Sequence, residues 1–416
     1  MKQSKLFTKT TKDAPKDEVS VNAQLLVRAG FIHKEIAGVY AYMPLGLRVL
    51  ENIKKIVREE MNAVGGQEVM MTTLQPKDIW EKTDRWDDAK VDNWFKTKLV
   101  NGTELGVGLT HEEPIVDAIS NYLSSYKDMP FAVYQIQSKF RNELRAKSGL
   151  LRGREFMMKD MYTFCRNQQQ HEQEYEKIVK AYYRVYDRLG LGGITYRTYA
   201  DGGIFTPRFS DEFQTLSEVG EDTIYLDEDK QIAVNQEIYT DENLVKLGLD
   251  KTKLVVKKGI EVGNTFHLES KYTDALGLYY KDEKGERQSI IMGCYGIGVS
   301  RLMGVIAEIF ADDKGLVWPD QIAPFKIHLL SLNQNEKAET IYDALTANGM
   351  EVLFDDREAN PGAKFADADL IGLPYQVIVS EKNIRDNQVE IKNRKSGAVE
   401  YVSLDNSEIV KYFQNK

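Results

Sequence analysis

The feature that most constrains the fold is a pair of strand-forming runs joined by a cationic loop. Phe131–Gln137 and Glu155–Phe164 are rich in aromatic and apolar residues and read as strands. Between and around them stand Phe140-Arg141-Asn142-Glu143 and Arg152-Gly153-Arg154-Glu155-Phe156. From Lys139 to Arg166, eight Lys and Arg face three acids, Glu143, Glu155 and Asp160; eight minus three is a local charge of +5, in a chain of formal charge −9. Such a run is either a solvated hairpin or a polyphosphate site, and composition does not separate the two. The chemistry of the second reading is specific. An arginine in the first strand can reach an α-phosphate, and one beyond the loop can meet a γ-phosphate, because the planar guanidinium binds oxyanions through paired bonds. Phe156 offers a face for stacking adenine.

A second constellation is Gly296-Ile297-Gly298-Val299-Ser300-Arg301. The run from Gly293 to Gly298 reads as a glycine-rich turn leading into a helix, whose apolar face is Val299, Leu302, Met303, Ile306, Ile309 and Phe310. A dinucleotide fingerprint would need a third glycine where Arg301 stands, and an early βαβ unit. An arginine at a helix start beside glycines suits an ATP phosphate or the open face of adenine instead.

The length, 416 residues, suggests two or three domains. Gly46 to Val64 reads as an amphipathic helix, with Leu50, Ile53, Val57, Met61 and Val64 on one face, followed by a strand over Gln67–Leu74 closed by Pro76. Gln168–Leu189 is a helix ended by Gly190. Ile224–Gly259 is polar and weakly periodic and reads as a connector or small insertion; strands resume at Asn264–Leu268 and Gln288–Met292. Past Ala323 the pattern is strand Lys326–Leu332, helix Glu336–Asn348, strand Glu351–Asp355, helix Ala363–Ile371 and strand Tyr375–Val379. Two further strands flank the turn Asn393–Gly397. This βαβαβ plan predicts a small separate domain over 324–416 behind a larger one over 1–323. No apolar run approaches the length that spans a bilayer. The polar N-terminus and the two cysteines, Cys165 and Cys294, outside any CxxC, suggest a reducing cytoplasm and no membrane.

Taken together, the two arginine-bearing elements resemble motifs 2 and 3 of the class II aminoacyl-tRNA synthetases, in the right order. The helix and strand ending at Pro76 look like motif 1. The resemblance narrows to the bacterial-type prolyl branch through Leu26-Val27-Arg28-Ala29-Gly30-Phe31-Ile32, Tyr42-Met43-Pro44-Leu45-Gly46, Thr110-His111-Glu112-Glu113, Arg154-Glu155-Phe156-Met157-Met158-Lys159-Asp160 and Gly293-Cys294-Tyr295-Gly296. In the last domain, Asp355-Asp356-Arg357 and Pro361-Gly362-Ala363-Lys364-Phe365 look like the branch's anticodon-binding domain. The implied fold class is α/β: an α+β catalytic domain with an antiparallel sheet flanked by helices, then a small βαβαβ anticodon-binding domain.

The resemblance implies a ligase that activates L-proline with ATP and loads it onto its cognate tRNA. Arg141 and Arg301 would be catalytic. ATP would meet Arg141, Glu143, Arg152, Phe156, Gly298 and Arg301. Proline would meet Thr110, Glu112, Arg141, Met158, Asp160, Tyr162 and Cys294. Magnesium would accompany the triphosphate, with Glu261 as a contact. Motif 1 would make a homodimer, with Leu50, Ile53, Val57 and Met61 as an apolar stripe. The interval between motifs 2 and 3 is too short for the editing domain of many relatives, so correction of mischarged tRNA would fall to a separate deacylase. Asp211, where histidine is usual, and Glu269, where glycine is usual, depart from the branch and bring the nearby substrate contacts into question. Rival readings are an inactive tRNA-binding or regulatory paralogue, another class II ligase such as the threonyl or seryl type, and a dehydrogenase. The threonyl type's Cys-His-His zinc site is not expected here, and a paralogue would usually lose the arginines that this chain keeps.

Overall fold

The structure is a computed structural model that describes residues 1–144, 146 and 148–416. Arg145 and Lys147, two cations of the basic loop, lie outside the described residues. A nine-stranded sheet organises the larger part of the chain. In chain order its strands are β1 Gly66–Glu68, β2 Phe131–Phe140, β3 Glu155–Cys165, β4 Thr195–Ala200, β5 Ser210–Leu216, β6 Asp222–Asp227, β7 Ile232–Asn235, β8 Leu254–Glu269 and β9 Ile291–Ile297. They lie side by side as β5-β4-β7-β6-β8-β9-β3-β2-β1. The pairs β2–β3, β3–β9 and β9–β8 are antiparallel, as the hairpin around the cationic loop requires.

One face of the sheet is covered by three helices, α1 Pro44–Ala63, α2 Gln168–Arg188 and α3 Val299–Ile309. Their inward residues, among them Ile53, Val57, Ile178, Tyr182, Leu302 and Ile306, share one core with Tyr134, Met161 and Tyr295 of the sheet. Side chains alternate along a strand. Met161 and Tyr295 therefore face the helices, and Asp160, Tyr162 and Cys294 face the other way.

Four expectations need correction here. The stripe Leu50, Ile53, Val57 and Met61 is not free for a partner, because all four side chains are buried in the chain's own core. The run Gln67–Leu74 is not one strand. Gly66–Glu68 joins the main sheet, and Leu74–Pro76 joins a separate three-stranded sheet with Lys96–Lys98 and Glu104–Val107. Gly293–Ile297 is not a turn but lies within β9, and only Gly298 caps the helix. Its glycines are there because the sheet is crowded: a Cβ on Gly296 would sit 2.5 Å from Met158 Cε and 2.6 Å from Asn264 Oδ1. Finally, Ile224–Gly259 is no mere connector. It supplies most of β6, all of β7 and the first third of β8, and Val234, Ile238, Leu244 and Leu249 form a small core of their own. Its alternation is short and interrupted, which is why the sequence reads as irregular.

The C-terminal part has a five-stranded sheet, β11-β10-β12-β13-β14, from β10 Ile327–Ser331, β11 Val352–Asp355, β12 Tyr375–Val379, β13 Gln388–Asn393 and β14 Val399–Ser403. β10 is parallel to β11 and β12, the outcome of two βαβ crossovers through α4 Asn335–Ala347 and α5 Pro361–Ile371. The division near 323 is not a loose tether. Leu353, Leu370, Ile371 and Leu373 pack into the same core as Leu316 and Trp318, and Arg394 is paired with Asp312 at 2.6 Å. No helix among the described residues is long and apolar enough to cross a membrane.

Candidate active site

The open face of the sheet collects the polar residues that the strands alternate away from the helices. β2 contributes Gln135, Lys139 and, just past its end, Arg141; β3 contributes Phe156, Met158, Asp160 and Tyr162; β9 contributes Cys294 and Gly296. The registers Gln135↔Asp160, Lys139↔Phe156, Cys294↔Tyr162 and Gly296↔Asp160 place them side by side. Most are named by the sequence reading, and they form one surface with two ends.

The first end is a cavity of about 170 Å³ lined by Arg141, Arg152 and Arg301 with Glu143, Asp222 and Glu261. Arg141 lies over the Phe156 ring at 5.2 Å, and its backbone N–H donates to Arg154 O at 2.9 Å. Burial, and then the neighbouring Arg301, push its guanidinium below the ordinary value. Two guanidiniums converging with too little counter-charge make a seat for an anion. Arg301, three residues past Gly298, donates to Glu261 O at 2.5 Å and lies 3.4 Å from its carboxylate. Arg152 stands at the rim, donating to Glu143 Oε2 at 3.0 Å and to Glu221 Oε2 at 3.2 Å. The Glu143 carboxylate is thus engaged by Arg152 in this structure. Asn264 donates to Glu261 Oε1 at 2.9 Å. Burial, and then the charge of Glu261, raise Glu212 to about 8, and Asp222 is also raised, first by burial. Arg301 is the cation nearest this group, 3.4 Å from Glu261 and acting on Asp222.

The second end is a small buried pocket built on carboxylates. Thr110 Oγ1 donates to both oxygens of Glu112, at 2.7 and 2.9 Å. The Tyr162 hydroxyl donates to Asp160 Oδ2 at 2.9 Å and lies 3.3 Å from Glu112 Oε1, and Cys294 Sγ donates to Glu112 Oε1 at 3.4 Å. Asp160 Oδ2 also accepts from Gln135 at 3.0 Å and Lys139 at 2.8 Å, while its Oδ1 is buried without a partner. Met158 extends over Gly296 as an apolar wall between the two ends. All seven residues expected around a small amino acid are on or beside this face; Arg141 lines the first end and feels the charge of Glu112 at the second.

Sequence reasoning missed a second layer. Lys139, fully buried, donates to Asp160 and to His111 Nδ1, 2.5 Å away. His111 Nε2 faces the Thr72 carbonyl oxygen at 3.1 Å, so that nitrogen carries the proton and Nδ1 accepts. Arg85 reaches Glu112 and Glu113 from the excursion between β1 and β2. The signal was present in the string Thr110-His111-Glu112-Glu113: two adjacent acids on a short apolar helix need a cation if buried.

The two departures lie outside this surface. Asp211 faces the helices, where it accepts from Tyr175 and from Arg197, both at 2.7 Å. Glu269 ends β8 at φ +52°, the backbone region that favours glycine, and pairs with Arg208 at 2.6 Å. Their hydrogen bonds and ion pairs run to Tyr175, Arg197 and Arg208 rather than to the carboxylate pocket.

Known proteins share this arrangement. Residues 95–310 match the tRNA synthetase class II core domain of the G, H, P, S and T types, and residues 321–416 match the anticodon binding domain. A proline–tRNA ligase of Anaplasma marginale is 39% identical, covering 97% of this chain and 98% of that protein. A proline–tRNA ligase of a Wolbachia from Brugia malayi is 39% identical over the whole of both chains. Among solved structures, the prolyl-tRNA synthetase of Cryptosporidium parvum in complex with L-proline and AMP superposes with a TM-score of 0.74 at 16% identity, covering 95% of this chain and 75% of that one. The last likeness is one of fold.

Proposed function

The chain belongs to the proline–tRNA ligases of the class II tRNA synthetases, and on that premise we propose how its residues divide the reaction. The enzyme activates proline with ATP and charges the product onto tRNA. The observation that supports the assignment of roles is that one face of one sheet carries both an arginine cavity and a carboxylate pocket, with Arg141 in the cavity feeling the charge of Glu112 in the pocket. In our reading the proline ammonium sits against Glu112 and Thr110, with Asp160 Oδ1 as the remaining acceptor. Met158, Tyr162 and Cys294 bound the ring. Arg141 then meets both the proline carboxylate and the α-phosphate.

Chemistry follows from position. A carboxylate oxygen attacks the α-phosphorus, the bond to the bridging oxygen breaks, and diphosphate departs with that electron pair. Arg141 neutralises the charge that builds on the α-phosphoryl oxygens. Arg152 and Arg301 hold the leaving phosphates, and Phe156 and Arg301 enclose the adenine, whose amino group lies towards Glu143; Gly298 lets the phosphates approach. No side chain need act as a covalent nucleophile. Among the described residues no three carboxylates are arranged to hold a metal by themselves, so Glu261 would be a single contact to a magnesium ion arriving on the triphosphate. The excess of raised carboxylates there fits such an ion, which keeps most of its own waters and offsets phosphate charge.

The test is ATP–pyrophosphate exchange across a panel of amino acids. Proline should dominate, and alanine should give measurable exchange. Losing one or two methylenes of contact is worth only about 1–3 kcal/mol, or roughly 10–200-fold. The interval between motifs 2 and 3 is occupied by β6, β7 and β8 of the main sheet, so we place correction on a separate deacylase. Alanyl-tRNA incubated with the enzyme should persist as long as in its absence; faster loss would expose an editing site. Exchange equal for proline and an unrelated amino acid would sink the substrate assignment.

We also propose a cytoplasmic homodimer. With α1 turned inward, we place the interface at the β1 edge, where the exposed Tyr122 stands beside a groove whose floor, Ile115, Ile119 and Leu123, belongs to the chain's own core. Tyr122→Glu is expected to shift sedimentation at micromolar concentration from dimer to monomer; a wild-type monomer at that concentration would refute the dimer.

A further inference from the structure

We propose that Arg85 is a positioning residue for proline: it holds the Glu112 and Glu113 carboxylates in place so that Glu112 can receive the substrate ammonium. Two neighbouring carboxylates with fully buried side chains are an unfavourable pair in any apolar surrounding. A single guanidinium answers both. Arg85 Nη1 donates to Glu112 Oε2 at 3.2 Å and to the two oxygens of Glu113 at 3.0 and 3.1 Å. Arg85 is itself 4% exposed, and its guanidinium lies 5.0–5.3 Å from the rings of Trp80, Phe205 and Tyr272. Those faces hold the fork in place from outside the sheet. Burial works against its charge, but Glu113, Tyr272 and Glu112 together hold its pKa above the ordinary guanidinium value. Burial pushes Glu113 up, against the pull of Arg85.

The same geometry separates the duties of the two acids. Glu113 accepts from Thr83 at 2.7 Å and faces away from the pocket network. Glu112 faces Thr110, Tyr162 and Cys294 within it. Other charges near the pair are Lys271 on the short helix beside Tyr272, and Asp160, Lys139 and Arg141 on the sheet. Lys139 is already committed to Asp160 and His111. Without Arg85, either the two carboxylates share a proton or Glu112 turns from its place. Both outcomes weaken the seat for an ammonium, and neither touches ATP.

The proposal rests on Glu112 being the ammonium site, and that is checked apart: Glu112→Gln should raise the proline KM by itself, and if it does not, the site reading fails before Arg85 is considered. For Arg85, pyrophosphate exchange is measured on the full chain. Arg85→Met should raise the proline KM by about tenfold or more, with kcat and the ATP KM within about threefold of wild type. Arg85→Lys should recover most of the loss. Arg85→Met with Glu113→Gln removes one cation and one anion, and should bring the proline KM back towards wild type. A merely structural residue would not be rescued by deleting its partner's charge. A proline KM within about twofold in Arg85→Met, or a double variant no better than the single, overturns the proposal. If Arg85→Met does not fold, the double variant decides. Folded with near-normal proline KM, it supports the proposal; unfolded, it assigns Arg85 to the fold and overturns it.

Discussion

Replacing Arg141 with alanine is expected to lower proline-dependent pyrophosphate exchange by about two to three orders of magnitude, the loss measured when one preorganised donor to a developing oxyanion is removed. The position of the side chain sets the size of the effect. It lines the arginine cavity and feels the charge of Glu112, so in the proposed roles one group serves both the attacking carboxylate and the phosphorus it attacks. Its ring neighbour Phe156 and the strand end that carries it fix its direction before substrate arrives. The fall should appear mainly in kcat, because the charge it answers grows in the transition state. Arg141→Lys should recover only a fraction, since an ammonium lacks the planar fork. Thermal stability should not fall: the variant loses a buried charge that already stands beside Arg301 with like sign. Exchange within tenfold of wild type in a folded Arg141→Ala protein would remove Arg141 from the catalytic role.

How much of this was legible in the chain depends on whether a residue answers to local or distant neighbours. Arg141 and Phe156 were legible from their place on a strand pair around a cationic loop, and Asp160 and Tyr162 through the family resemblance, with which strand alternation agrees. Once Glu155–Phe164 is a strand, the even-numbered residues share a face, and a motif carrying arginine at one end names the face. The βαβαβ plan past Ala323 was legible for the same reason, with each period uninterrupted. Arg85 was not. It lies some 27 residues before Glu112 in a segment whose three short strands form a sheet of their own, and only folding brings the two together. The dimer stripe failed for a related reason. An apolar face on α1 must be covered, but periodicity does not say by what, and α2 and α3 cover it here. Glu269 shows a subtler limit. A departure from glycine looks like altered chemistry, whereas its backbone stands at φ +52° and its carboxylate reaches Arg208 at the rim.

Stability should peak close to neutral pH and fall as the pH drops from about 6.5 to 4.5, by roughly 5–8 kcal/mol in all. The cause is a set of buried neutral imidazoles. His111, His171 and His328 are each fully buried, and burial lowers each from 6.5 to about 4, with Lys139 adding to the effect on His111. His267, bonded to His171, is lowered first by burial to about 3. In the unfolded chain all four take up protons as the pH passes 6.5. In the folded protein they do so only near 4 or below. Between those values the unfolded state therefore holds up to four more protons, and acid favours it. Glu212 opposes this. Raised to about 8, it is protonated in the folded state and ionised in the unfolded state above 4.5, so it favours folding over the same window. Four protons against one leave a net difference of up to three, and each is worth about 1.4 kcal/mol per pH unit. Above neutrality the balance is flatter, because Glu212 between about 4.5 and 8 and Lys159 between about 7 and 10.5 work in opposite directions where they overlap. Urea unfolding at half-unit steps from pH 4.5 to 8 measures the slope directly. His328 gives the sharpest check, since it lies in the C-terminal sheet, bonded to Gln3 at 2.9 Å and remote from the substrate face. His328→Gln should remove about one proton from the acid slope and leave exchange activity unchanged. An unchanged slope in that variant, or a wild-type stability that is flat down to pH 4.5, would mean that the imidazoles are not what acid attacks.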